Sequence, residues 1–126
     1  MDPLRKIKTH TFYGHKYRFI YGKLESHISR AKLKKIATSF DIKNHADILA
    51  LTDDHDVKEK AIIVRDNIEQ PKELLRVLLD EALHALDYKI DDNVIDHYSR
   101  DLSNFLWRCG YRRVTQDDDS GNNQKV

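Results

Sequence analysis

Residues able to do chemistry concentrate in one short stretch, Leu78-Leu79-Asp80-Glu81-Ala82-Leu83-His84-Ala85-Leu86-Asp87. On a helix turning about 100° per residue, with Asp80 at zero, His84 falls near 40° and Asp87 near −20°. Asp91 would fall near 20° if the helix continued that far. One stripe therefore presents carboxylate, imidazole and carboxylate, a turn apart, with Glu81 beside it. Two donors at positions i and i+4 project together and can touch one ion. Zinc accepts imidazole nitrogen and carboxylate oxygen at about 2.0–2.2 Å. A glutamate directly after the first ligand can reach a metal-bound water and take its proton. The usual pattern is H-E-x-x-H; here it reads D-E-x-x-H. Glu81 stands at the position of the catalytic base, His84 at that of the second ligand, and Asp80 where the first histidine would be.

The same stretch also describes an ordinary amphipathic helix. Leu74, Leu75, Leu78, Leu79, Ala82, Ala85 and Leu86 cover one broad arc, while Glu73, Arg76, Asp80, Glu81, His84 and Asp87 cover the other. On that reading the polar arc faces water, and Arg76 pairs with Asp80 across one turn.

Around this helix the pattern predicts the order β-β-α-β-β-α-α. Alternating aromatic and β-branched residues from Lys6 to Tyr21 predict two strands joined at Tyr13-Gly14-His15-Lys16. Glu25 to Phe40 is predicted helical, with Ser26 as its cap. Ile48–Leu51 and Ile62–Val64 are predicted to form a hairpin through the polar segment Thr52–Asp56. Pro71 suits the first position of the key helix, predicted to run to Lys89. A last helix is predicted from Asn93 to Cys109, ended by Gly110. Because strands and helices do not alternate regularly, the expected fold class is α+β, a small, mostly antiparallel sheet packed by helices. A single domain over residues 1–114 is expected, followed by a polar, disordered tail over 115–126.

The layout resembles a family of small bacteriophage and bacterial metallopeptidases of the zincin type. In these a strand pair precedes a Leu-Leu-His-Glu-x-x-His-Ala-x-Asp helix. Here the strand pair is Leu49-Ala50-Leu51-Thr52-Asp53 with Ala61-Ile62-Ile63-Val64, and the helix reads Leu-Leu-Asp-Glu-Ala-Leu-His-Ala-Leu-Asp-Tyr. The resemblance covers residues 46–109 and extends loosely to Phe12–Tyr17. It implies a zincin-like fold, a zinc ion on the helix, and hydrolysis of peptide or protein substrates by a metal-activated water. Asp80 and His84 would be ligands, Glu81 the base and Asp87 the first choice of third ligand, with Asp91 and His97 as alternatives. Two ligating carboxylates would make the metal a weaker Lewis acid. An oxygen-rich donor set also leans toward Mn or Mg. The aspartate substitution therefore opens a second expectation, a catalytically inactive zincin-like protein that binds a partner through the old cleft.

Charge suggests a third. Residues 1–43 hold 11 Lys/Arg and 3 Asp/Glu, against 11 and 18 in residues 44–126. Arg30, Lys32, Lys34 and Lys35, with Tyr13, Tyr17, Phe19 and Tyr21 nearby, would offer phosphate contacts and stacking to a nucleic acid. The remaining features narrow the classes. No apolar run approaches a membrane span. The single cysteine, Cys109, excludes a disulfide framework within the chain and is expected in the core. The first residues lack the apolar stretch of a secretion signal, so a cytoplasmic location is expected. There is no Gly-rich phosphate loop and no Ser or Cys nucleophile in a recognisable setting. His10, His15, His27, His45 and His55 have no ligand-type spacing and are expected at the surface or in turns.

Overall fold

The computed structural model describes residues 7–40 and 42–113. The expected tail over 115–126 and the chain start at Met1–Lys6 lie outside the described residues. Strands β1 (Thr9–Phe12), β2 (His15–Gly22), β3 (Ala50–Thr52) and β4 (Lys60–Arg65) form one sheet in the order β1-β2-β4-β3. Helices α1 (Arg30–Ser39), α2 (Pro71–Leu86) and α3 (Asp92–Arg108) complete the α+β architecture.

β1 and β2 are joined by Tyr13 and Gly14, both at positive φ (47° and 87°), as a two-residue hairpin turn requires. β3 and β4 pair antiparallel as expected, with Leu51 opposite Ile63. The sheet is mixed: its outer pairs are antiparallel, while the central pair, β2 and β4, runs parallel, with Phe19 opposite Ile62. Parallel neighbours need the chain to return to its starting end, and here the intervening segment returns it through α1 and the oppositely running strand β3.

β4 explains the two cores. Its Ala61 and Ile63 side chains join Leu24, Leu33, Ala37 and Ile48 beneath α1. Its Ile62 and Val64 join Tyr17, Ile68, Leu74, Val77 and Ala85 beneath α2. A strand covered on both faces reads as a continuous apolar run, as Ala61–Val64 does. α3 packs on α2. Among the described residues no helix is long and apolar enough to cross a membrane.

Two helix boundaries and one core assignment differ from the sequence expectation. The segment Leu24–Ser26 is a 3-10 turn, and α1 starts at Arg30 with Ser29 accepting from the Lys32 N–H at 3.2 Å; Ser26 is not its cap. Buried Leu24 and an ion pair between Glu25 and Arg65 (2.7 Å) anchor that turn before the helix can begin. α2 stops at Leu86 rather than Lys89, because Asp87 is extended and its Oδ1 accepts the Lys89 N–H at 3.1 Å. Asp91 then accepts from the Asn93 N–H at 2.8 Å and caps α3. Cys109 is exposed, not in the core: it caps the end of α3, about 80° around the helix from the centre of the buried stripe of Ile95, Ser99 and Ser103.

Candidate functional site

α2 has three sides, and the sheet takes a different one from that suggested by its leucines. Its buried residues are Leu74, Val77, Glu81 and Ala85. Glu81 thus lies within the sheet-facing stripe, only 6% exposed, rather than on a solvated face. The Thr52 hydroxyl, at the end of β3, donates to its Oε2 at 3.1 Å. Burial is the main reason its carboxyl is pushed up to about 7. The His84 charge opposes the shift, and the charge of Asp80 adds to it.

The polar stripe of α2 faces α3. The Ser99 hydroxyl donates to Asp80 Oδ1 at 3.1 Å. His84 Nε2 stands 3.5 Å from Asp80 Oδ2 and 3.6 Å from Asp92 Oδ1. Burial alone would lower the imidazole pKa. The hydrogen bond with Asp80 and the charges of Glu81, Asp80 and Asp92 outweigh it, so the protonated form is favoured. Arg76 does not pair with Asp80; it pairs with Glu73 at 2.6 Å and reaches Asp96 at 3.9 Å.

Asp80, Glu81 and His84 are therefore brought together, as their spacing requires. Asp87 lies outside the helix with its carboxylate turned to the Lys89 N–H. Asp91 is engaged as a cap, and His97 is exposed on α3. The second carboxylate at His84 comes from Asp92, which no motif letter marks. Its signal was indirect: a turn of five residues between two helices folds the start of α3 back onto the end of α2.

Metal fit can be judged from the donors themselves. Two ligands each about 2.1 Å from one ion at a tetrahedral angle are about 3.4 Å apart. The His84–Asp80 and His84–Asp92 separations are close to that, pair by pair. Among the described residues, however, no group of three or more His, Cys, Asp or Glu has the arrangement to hold a metal ion. Asp80 and Asp92 instead both face the His84 ring and shift it toward its protonated form.

A second cluster borders the first. His15 and His55 stack with ring centroids 3.7 Å apart and planes 8° from parallel. His55 Nε2–H donates to the Ala85 carbonyl at 2.7 Å, satisfying an orphan group at the end of α2. Tyr88 lies 6.2 Å, centroid to centroid, from both His55 and His84. Desolvation and the His55 and Lys60 charges lower the pKa of His15. Spacing in the chain gave no hint of this stack, because hairpin β1–β2 and the β3–β4 connection meet only through the parallel pairing.

The basic half is divided. Arg30, Lys32, Lys34 and Lys35 are all exposed on α1. Tyr17 is fully buried and Phe19 and Tyr21 pack against the α2 core, so those three form no open stacking platform. A groove of about 500 Å³ lined by Lys23, Arg30, His45 and Arg65 also holds Glu25 and Asp66, and Glu25 engages the Arg65 guanidinium. Comparison of this chain with protein-family models, curated proteins and solved structures finds no match.

Proposed function

We propose that this chain is a zincin-like protein in which an internal charge cluster stands where the metal would sit, and that it acts as a non-catalytic peptide- or protein-binding module. The observation that carries the reading is the bracketing of His84 Nε2 by Asp80 and Asp92. Both carboxylates favour the protonated ring, whose proton a metal would have to displace, and Asp80 is further tied by Ser99. β3, an edge strand beside the cluster, offers backbone to an extended peptide.

A metal-dependent hydrolase is the second reading. The near-ligand spacing around His84 and the raised pKa of Glu81, suited to a general base near neutral pH, favour it. Elemental analysis of Zn, Mn and Fe on untagged protein, with His84→Ala as control, separates the two. The binding-module reading expects well under one metal per chain, unchanged in the variant, and no peptide hydrolysis. About one metal per chain, lost in His84→Ala, would replace it with the hydrolase. In that event Glu81→Gln should retain the metal and lose hydrolysis.

A further inference from the structure

The sheet sorts the charges of the chain onto its two sides. Residues 7–40 hold 8 Lys/Arg against Glu25 alone, and that carboxylate is taken by Arg65. Residues 71–108, which form α2, α3 and their turn, hold 5 Lys/Arg against 8 Asp/Glu. α1 packs on one face of the sheet with Ala61 and Ile63, and α2 on the other with Ile62 and Val64. The acidic helices therefore stand behind the sheet as seen from α1. On the α1 side the strands are covered only in part. Tyr17, Phe19 and Tyr21 of β2 pack toward α2 and Ile20 toward α1, so Lys16 and Arg18 share the α1 side. Their partners on β1, Thr11 and Thr9, lie on the same face. All four are exposed. On α1, Lys34, Lys32 and Lys35 lie about 80°, 120° and 180° from the middle of the buried side marked by Leu33 and Ala37, so both flanks and the crest are basic. The helix has no acidic residue. Among the described residues, Lys16, Arg18, Arg30, Lys32, Lys34 and Lys35 make no ion pair.

We infer that this side of the protein, the ridge of α1 beside the ledge of β1 and β2, docks on double-stranded B-form DNA through its phosphates, without regard to sequence. Charge complementarity selects a polyanion. Further features select among polyanions. A helix that lies on a bilayer needs a free apolar side, and that of α1 is spent in the core. The centre of a protein–protein interface is depleted in charge and enriched in aromatic side chains. Here the outward arc of α1 holds Ala31, Thr38 and lysines, and the ledge holds Thr9, Thr11, Lys16 and Arg18. A single strand needs rings on which its bases stack, and the rings of Tyr17, Phe19 and Tyr21 lie on the opposite face. A duplex backbone asks only for cations and hydroxyls at its phosphates. One helix standing above a ledge fits the major groove of B-form DNA, about 12 Å wide; that of A-form RNA is too narrow for it.

The surface lies across the sheet from His84, so the inference is independent of what that cluster binds. Fluorescence anisotropy of a labelled DNA duplex of about 20 base pairs and random sequence, titrated with the full chain in the presence of chelator, tests it. With about four of these side chains on phosphates at once, the log of the association constant should fall against log salt with a slope of about −3.6, a loss of about 150-fold between about 50 and 200 mM. Lys16→Glu with Arg18→Glu, and Lys34→Glu with Lys35→Glu, should each weaken binding at least about tenfold at the lower salt. Lys72→Glu with Arg108→Glu, on the acidic side, should weaken it less than about threefold. All six positions are exposed, so the far-ultraviolet circular dichroism of every variant should match the wild type. Absence of binding at the lower salt overturns the inference. So does an equal loss in all three double variants, which would report net charge and not this face. An RNA duplex or a single strand bound as tightly as the DNA duplex, or phosphatidylserine vesicles bound more tightly, would overturn it as well.

Discussion

Glu81 makes the folded chain sensitive to pH in a direction opposite to most carboxylates. Its carboxyl is held at about 7 chiefly by burial, against 4.5 for the same group in an unfolded chain. Below pH 4.5 both states keep the proton and the residue contributes nothing to the pH dependence. Between 4.5 and 7 the unfolded chain releases its proton first, so stability falls as pH rises. Above 7 the full cost is present. At about 1.4 kcal/mol for each tenfold change in proton affinity, that cost has a ceiling of about 3 kcal/mol. Glu81→Gln keeps the shape and an oxygen for the Thr52 hydroxyl but cannot ionise. In metal-free protein with chelator, the variant should match the wild type near pH 4 and be more stable at pH 8, by up to about 3 kcal/mol. The gain will be trimmed because His84 loses a charge that favours its protonated form. Urea unfolding of both proteins at pH 4, 6 and 8 measures the difference directly, and contributions common to both cancel. A difference that stays flat with pH, or a variant less stable than wild type at pH 8, would refute the account of Glu81 as a buried acid held above its ordinary range.

Two further perturbations test the frame around the site. Tyr13 is 87% exposed and sits at positive φ, so Tyr13→Asn should create a better Asn-Gly turn. Relief of about 1 kcal/mol of backbone strain is expected, visible as a melting temperature roughly 4–8 °C higher; no rise would mean the turn is unstrained. Glu25 is held down to about 2 by its hydrogen bonds with Arg65. Its contribution is complete above pH 4.5 and is lost as pH falls toward 2. Glu25→Gln should therefore lower the melting temperature at pH 7, and the gap from wild type should close on acidification, followed by thermal melts at pH 2, 4 and 7.

Local chemistry was readable where one residue's neighbours in the chain are also its neighbours in space. The order of the elements, the Tyr13-Gly14 turn, the Pro71 start of α2 and the grouping of Asp80, Glu81 and His84 all depend on short spacings. What was not legible depends on distant pairing. Alternation in β2 does not say whether its neighbour runs parallel. Ser26 and Ser29 are both good caps, and only Arg65, forty residues beyond Glu25, decides between them. An apolar stripe on α2 does not reveal which part of it the sheet will take, so the pattern sets Glu81 beside a wet face although it faces the core. Asp92 displaced Asp87 at His84 because one Asx turn ended the helix early. Cys109 continues an apolar pattern on the side of α3 that α2 does not cover.

The parallel β2–β4 ladder also governs the order in which the molecule can assemble and come apart. Its register partners, such as Tyr17 and Lys60, are 43 residues apart in the chain, whereas the two hairpins and the α2–α3 pair close over short loops. Loop-closure entropy makes such a ladder late to form. It joins the N-terminal hairpin to the rest of the sheet, so its transient opening would unstack His15 from His55 while Asp80, His84 and Asp92 stayed together on their helices. Amide exchange should divide along that seam: β1 and β2 would exchange as one cooperative unit ahead of α2 and α3.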